Sequence, residues 1–388
     1  MVIPHLARVL GPAGWGALAS AEAVGRYLSL LVEYGFQLSA TRDVAQAGDC
    51  RVSRRSIASG VGSAQVGLLA GGCILAWVAA RFLPAAAPLI ALALLWAAWQ
   101  ALSPSWYLQG VERMGVLACV EIPPRILAAL AIIAFVRTPA DAWLALSFQA
   151  AAAAVSALAG WTFVVRNAGM PRFSLAAGVR VLSSGAPVFL LRGAVSLYTT
   201  ANVVLLGFFA APAVVAQFAG AEKIVRAAIS LTGPVSQAFY PRINSLVRTG
   251  GRGATDALRA SAVSMLALGA ALGAGVFLCA GPLARIVFGP GYELSARLMR
   301  VLAVLPPLVA ASNVLGIQAM LPLRMDREFT SIVLAAGLLN VLLALLLGPG
   351  GQSAGVAISL VAAETAVTLG CVLTLSSRGL TPWRVAPV

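Results

Sequence analysis

The chain is 388 residues long, 60% hydrophobic and only 10% charged, with a mean hydropathy of +0.92. A soluble domain carries about a quarter charged residues, so a water-soluble class is excluded and a bilayer is the expected solvent. The net charge of +14 falls mostly in short loops between apolar runs rather than on one polar face, which excludes nucleic acid and points to membrane topology.

With about 20 apolar residues per span, the first predicted helices are Gly14–Gln37, Ala58–Ala80, Leu83–Leu102, Val116–Val136 and Ala140–Val165. A polar stretch from Arg166 to Arg180, with Gly169 and Pro171, reads as a linker between two lobes, 1–168 and 169–388. The second lobe continues as Val181–Phe209, Val214–Ala238, Ser261–Leu283, Met299–Pro322, Thr330–Leu347 and Gly355–Leu375. The fold class is therefore an all-α polytopic membrane protein of about 11 transmembrane helices. Alternating the loops collects Arg42, Arg51, Arg54, Arg55, Arg166, Arg172 and Arg242 on one side, with Arg8, Arg81, Arg137 and Arg285 on the other. The arginine-rich side is expected to be cytoplasmic, together with the C-terminus. The first residues, which lack the pattern of a signal peptide, are then expected outside.

The halves are related. Gly11–Arg26 reads GPAGWGALASAEAVGR and Ala211–Arg226 reads APAVVAQFAGAEKIVR, so an offset of 200 lays Pro12 on Pro212, Glu22 on Glu222 and Arg26 on Arg226. Gln37 and Arg42 fall on Gln237 and Arg242 in the same register. An even number of helices per offset predicts parallel repeats about the membrane normal, two lobes enclosing a cavity. The Val181–Phe209 helix has no partner at that offset, so an intact relative is expected to have twelve helices, one of them upstream of Met1.

Charges recur inside the apolar segments. Glu22, Arg26, Glu121, Arg125, Arg192, Glu222, Lys223, Arg226 and Glu364 each stand about ten residues from a predicted helix end, roughly 15 Å deep. Three sets, Glu22–Arg26, Glu121–Arg125 and Glu222–Arg226, have the i,i+4 spacing that lets a pair neutralise itself on one helix face. Such pairs serve either as structural glue or as functional charge. Arg192 and Lys223 lack an acid at i±4 and are the first candidates for an anionic ligand, with Arg26, Arg125 and Arg226 behind them. Tyr198, Thr199, Asn202, Asn313 and Gln318 supply groups that could bind a sugar, or could simply join helices at about 0.6 kcal/mol each. Glu33 and Glu364, like the paired Glu22, Glu121 and Glu222, are candidate coupling acids. Pro123–Pro124 and Pro306–Pro307 are expected to interrupt their helices. Gly250, Gly251 and Gly253 around Arg252 read as a flexible loop.

Much chemistry is unavailable. His5 is the sole histidine, which removes His-dependent triads and zinc motifs, and the five cysteines have no paired spacing. No cofactor, metal or catalytic residue is expected, and the chain reads as no enzyme.

Several segments together carry a resemblance: LARVLGPAGWG (Leu6–Gly16), SLLVEYGFQLSATRDVA (Ser29–Ala45), PSWYLQGVERM (Pro104–Met114), SLYTTANVVLLG (Ser196–Gly207), AEKIVRA (Ala221–Ala227), GPVSQAFYPRI (Gly233–Ile243) and LPPLVAASNVLGIQAMLPL (Leu305–Leu323). In this order they resemble the polysaccharide-transport family, the Wzx-type oligosaccharide flippases of the multidrug/oligosaccharidyl-lipid/polysaccharide exporter superfamily. The resemblance implies twelve helices in two lobes, a cationic cavity and proton coupling. It further implies a bacterial inner-membrane protein that moves polyprenyl-pyrophosphate-linked O-antigen or exopolysaccharide repeat units to the outer leaflet, alongside polysaccharide polymerase and assembly proteins. A basic residue at Arg26 departs from that pattern. A multidrug/cation antiporter of the same superfamily, a membrane glycan polymerase or ligase, and a non-transporting scaffold stay open as alternatives; the short outer connection Ala284–Arg300 argues against a polymerase.

Overall fold

The computed structural model describes residues 2–80, 87–199, 201–248 and 253–379. The predicted Gly250–Gly253 loop falls largely outside them. Every described residue of regular structure is helical, and seven helical stretches are long and apolar enough to cross a membrane. Helix α6 (Met114–Phe135) exposes Ile122, Ile126, Leu127 and Leu130, a surface that water would not tolerate and lipid does. Two compact units divide at Gly193/Ala194.

The first unit opens with α1 (Val2–Glu33), bent at Gly11, whose φ of 65° is open to glycine and which precedes Pro12. Tyr34 and Gly35, both at positive φ, end α1 and start α2 (Phe36–Gln46), so the predicted Gly14–Gln37 helix is two helices joined by a tight turn. Helix α3 (Arg51–Ala80), α4 (Ala87–Ala101), the short α5 (Ser105–Gly110), α6, α7 (Ala142–Ala168) and most of α8 (Leu175–Thr199) complete the unit. Small residues let the backbones meet: a Cβ on Gly25 would stand 2.8 Å from the Ala93 carbonyl oxygen, and the Ser29 hydroxyl donates to the Ala97 carbonyl at 3.1 Å. Gln65 and Trp161 likewise donate to the Ala101 and Leu102 carbonyls. Pro123 and Pro124 lie within α6 without interrupting it, contrary to the expectation from sequence. Their missing N–H groups remove two ladder donors, but the helix dihedrals tolerate proline's fixed φ.

The second unit contains α9 (Ala201–Phe209), α10 (Pro212–Ser230), α11 (Gly233–Arg248), α12 (Gly253–Val287), α13 (Glu293–Leu302), α14 (Leu305–Ser312), a π-helical stretch at Asn313–Met320, and α15 (Asp326–Ser377), which bends at Gln352. The predicted Val214–Ala238 helix breaks at Leu231–Thr232 into α10 and α11. Here Pro306 and Pro307 do end a helix: they occupy the first turn of α14, where a missing N–H removes no internal bond. Gly269 and Gly273 admit the Pro306 and Ala303 carbonyls, so α12 packs against the backbone of α14 and of the turn that precedes it.

The duplication is visible in these breaks. At the 200-residue offset, the Gly11 bend falls on the Ala210–Ala211 junction, Val2–Leu10 falls on α9, and α2 falls on α11. The segment Val2–Leu10, left out of the predicted helices, is helical.

Candidate functional site

Three helices of the second unit contribute one face each to a cleft of about 260 Å³. Helix α10 presents Glu222, Val225, Arg226, Ile229 and Ser230, a run at i, i+3, i+4, i+7 and i+8 that lies along a single stripe. Helix α14 and the first π-helical residue add Leu305, Val309, Ser312 and Asn313, and α15 adds Leu360 and Glu364. A π-helical turn widens the ladder and commonly marks a functional position; this one begins at the cleft wall.

The polar groups are few and specific. Arg226 donates to Glu222 Oε1 through Nη2 at 2.6 Å and Nε at 3.0 Å. The Glu222 side chain is buried, whereas that of Arg226, which also lines the cleft, is 40% exposed. Across from it, the buried Glu364 carboxylate accepts a 2.6 Å hydrogen bond from the Ser312 hydroxyl. One guanidinium thus shares the cleft with two carboxyl groups. Because α10 ends at Ser230, Arg226 stands one turn from a helix terminus rather than at the middle of the predicted span.

Other residues singled out from sequence fall elsewhere. Lys223 is half-buried, makes interactions of its own and does not line this cleft. Asn202 is fully buried and accepts a 2.9 Å hydrogen bond from Asn340, joining α9 to α15. Gln318 is fully buried, accepting from Ser261 and donating to Ser236 and the Met265 sulfur; both amides act as helix-joining groups. Asn313 lines the cleft. Arg192, Tyr198 and Thr199 belong to α8, and their side chains lie outside the described residues.

In the first unit Glu22 and Arg26 pair at 3.4 Å, and Glu22 also accepts a 3.2 Å hydrogen bond from Gln149 of α7. Glu121 and Arg125 pair at 3.0 Å on α6, with the Arg125 side chain 57% exposed. Glu33 is the last residue of α1 and has interactions of its own. Ser312 and Gln149 were not singled out from sequence; each partners its acid from a distant helix, a pairing that spacing does not encode. Among the described residues no three His, Cys, Asp or Glu side chains come together as a metal-ligand set.

The model of the family described as "Polysaccharide biosynthesis protein" matches residues 1–247, well over half of the chain. The chain belongs to this family. A curated relative from Escherichia coli (strain K12), described as "Putative O-antigen transporter", is 32% identical over 380 residues, covering 95% of this chain and 90% of the relative. Two solved structures share the fold. "Lipid II flippase MurJ, inward closed conformation" superposes with a TM-score of 0.74 at 12% identity, covering 97% of this chain and 84% of its own. An inward-facing multidrug resistance MATE family transporter of the MOP superfamily superposes with a TM-score of 0.68 at 14% identity, covering 97% of both chains. The chain is thus an all-helical member of that family with the fold of these two structures, and its relative in Escherichia coli is described as a transporter.

Proposed function

We propose that this protein flips polyprenyl-pyrophosphate-linked oligosaccharide repeat units from the cytoplasmic to the outer leaflet of the bacterial inner membrane, by alternating access, for surface polysaccharide assembly. A pyrophosphate bearing a glycan cannot cross about 30 Å of hydrocarbon unaided. The carrier must offer cations and hydroxyls at depth while the lipid tail stays in the bilayer. The observation that carries this reading is the polar cleft of the second unit, where Arg226 is half-exposed yet held by a buried acid, within a family whose relative is described as an O-antigen transporter. In this scheme Arg226 contacts phosphate, Ser230 and Asn313 contact the head group, and Glu364, held by Ser312, carries the coupling proton. Protonating one carboxyl group removes the negative charge that would otherwise oppose a pyrophosphate beside it. Arg192, Lys223, Arg26 and Arg125 are further candidates for phosphate contact. The arginine-rich loops and the C-terminus face the cytoplasm.

The excess of acid over base in the cleft favours a second reading, a proton- or cation-coupled exporter of cationic compounds. Reconstitution separates the two. Purified protein in vesicles loaded with lipid-linked oligosaccharide on the inner leaflet is expected to expose the glycan to an added lectin, and to do so faster under an inward proton gradient. Lectin accessibility no faster than in protein-free vesicles, together with proton-driven uptake of a cationic dye, would replace the flippase reading with the exporter.

A further inference from the structure

The segment between α7 and α8 has a constrained backbone and an outward-facing set of side chains. Gly169, at a φ of 92°, stops α7, and residues 169–174 are irregular. They are nonetheless fastened to one face of α3. Arg55 Nε donates to the Met170 carbonyl at 2.7 Å, and the N–H groups of Arg172 and Ser174 donate to the hydroxyls of Ser59 and Ser63, each at 2.9 Å. Ser59 and Ser63 are one helical turn apart, so alternate residues of the strap are pinned to successive turns of α3. The side chains left pointing outward are Met170, Phe173 and Leu175, at 68%, 71% and 73% exposure, with exposed Arg166 and Arg172 between and beside them.

Two physical constraints fix where such a strap can sit. Irregular backbone exposed to lipid is not tolerated in the hydrocarbon interior. Three large apolar side chains held outward by a pinned backbone are not stable in bulk water, where they would have to collapse onto something. The boundary between head groups and acyl chains satisfies both. The charge agrees: Arg51, Arg54 and Arg55 at the start of α3 are held by the carbonyls of Arg166, Asn167 and Met170, the Asn167 amide oxygen and Asp49. Arg166 and Arg172 extend that basic edge outward.

We infer that the strap 169–175 is a membrane-interface anchor for anionic phospholipid: Met170, Phe173 and Leu175 enter the upper acyl region while Arg166 and Arg172 hold head-group phosphates. This holds whatever the cargo of the cleft. A rigid anchor of this kind fixes the depth at which the end of α7 and the start of α8 meet the leaflet.

The test places a reporter on the strap. In the full-length protein carrying Phe173→Trp, reconstituted with phospholipids brominated at either shallow or deep acyl positions, the added fluorescence is measured against the eight native tryptophans of the unaltered protein. Strong quenching by shallow bromines, weak quenching by deep ones and weak quenching by aqueous acrylamide are expected. Quenching is also expected to favour brominated phosphatidylglycerol over phosphatidylcholine by about fivefold for each arginine engaged. The preference should fall to near unity in Phe173→Trp with Arg166→Gln and Arg172→Gln. Acrylamide quenching as strong as for free tryptophan would overturn the anchor in favour of water or a soluble partner protein. Maximal quenching by deep bromines, or no head-group preference, would overturn it as well. Met170→Trp repeats the measurement at a second strap position if the first variant fails to reach the membrane.

Discussion

The two units carry the same Glu–Arg pair at positions 22 and 26 and at 222 and 226, yet the pairs live in different surroundings. In the first unit Glu22 is shared between Arg26, at 3.4 Å, and the Gln149 amide of α7. In the second, Arg226 closes on a single carboxylate oxygen with two nitrogens, and the pair forms one wall of a cleft whose opposite wall holds a second acid, Glu364. A repeated sequence element sets the pair, because i,i+4 spacing on a helix needs no help from the rest of the fold. The neighbours decide what it can do. The two guanidiniums are exposed alike, 43% for Arg26 and 40% for Arg226; the difference is that Glu22 is tied by an amide from another helix, whereas the second pair lines a cleft with a further acid.

The largest break in this comparison is expected from Arg226→Ala. It removes the proposed phosphate contact and leaves Glu222 buried without its guanidinium, a change that costs about 3–5 kcal/mol where the pair is fully buried and less here, since Arg226 is partly solvated. Surface polysaccharide in a complemented deletion strain should fall at least about tenfold. The charge-swapped protein, Glu222→Arg with Arg226→Glu, keeps a pair and is expected to restore membrane levels without restoring polymer. Full polymer from the swap would show that the pair is glue in this unit too.

Next comes Glu364→Gln. The amide oxygen can still accept the Ser312 hydrogen bond, so folding is preserved while the proton site is lost. Translocation in vesicles should become indifferent to an imposed pH gradient, with its basal rate retained. An unchanged gradient response would move coupling to another acid.

Arg26→Gln should matter less. Exposed i,i+4 pairs contribute about 0.3–0.5 kcal/mol, and Glu22 keeps its bond from Gln149. Polymer output is expected to stay within about twofold of wild type; a loss as deep as that of Arg226→Ala would make the two repeats functionally equal and erase the contrast.

How much of this was legible in the sequence follows from the range of each interaction. Where the predicted apolar segments fall on described residues they are mostly helical, because hydropathy and length are local, and the Glu–Arg pairs form because their spacing is local. The breaks were less legible. Gly35 and Leu231–Thr232 lie inside apolar runs where nothing in the hydropathy marks a turn, and Pro123–Pro124, the strongest local breaker on paper, sits in an unbroken α6. Pro306–Pro307 differs because it falls in the first turn of its helix, where the lost donors were unpaired anyway. Of the candidate site, Glu222, Arg226, Asn313 and Glu364 were named and do share a cleft, whereas Asn202 and Gln318, equally polar on paper, are spent on joining helices. Only the third dimension separates a polar group that faces a cleft from one that faces another amide.

The smallest expected effect sharpens the comparison most directly. Gln149→Ala deletes the amide that ties Glu22 to α7 and touches nothing in the second unit. If the first pair is glue, thermal stability in detergent should drop by about 0.6 kcal/mol, the average for a hydrogen bond between membrane helices, while translocation is unchanged. Combining Gln149→Ala with Arg26→Gln removes both of these partners from Glu22, and the loss of stability should exceed the sum of the two single changes, since each single removal is buffered by the other bond. Strict additivity would mean that the two bonds to Glu22 act independently. A gain of transport in Gln149→Ala would mean that the amide restrains an arginine that otherwise works as Arg226 is proposed to.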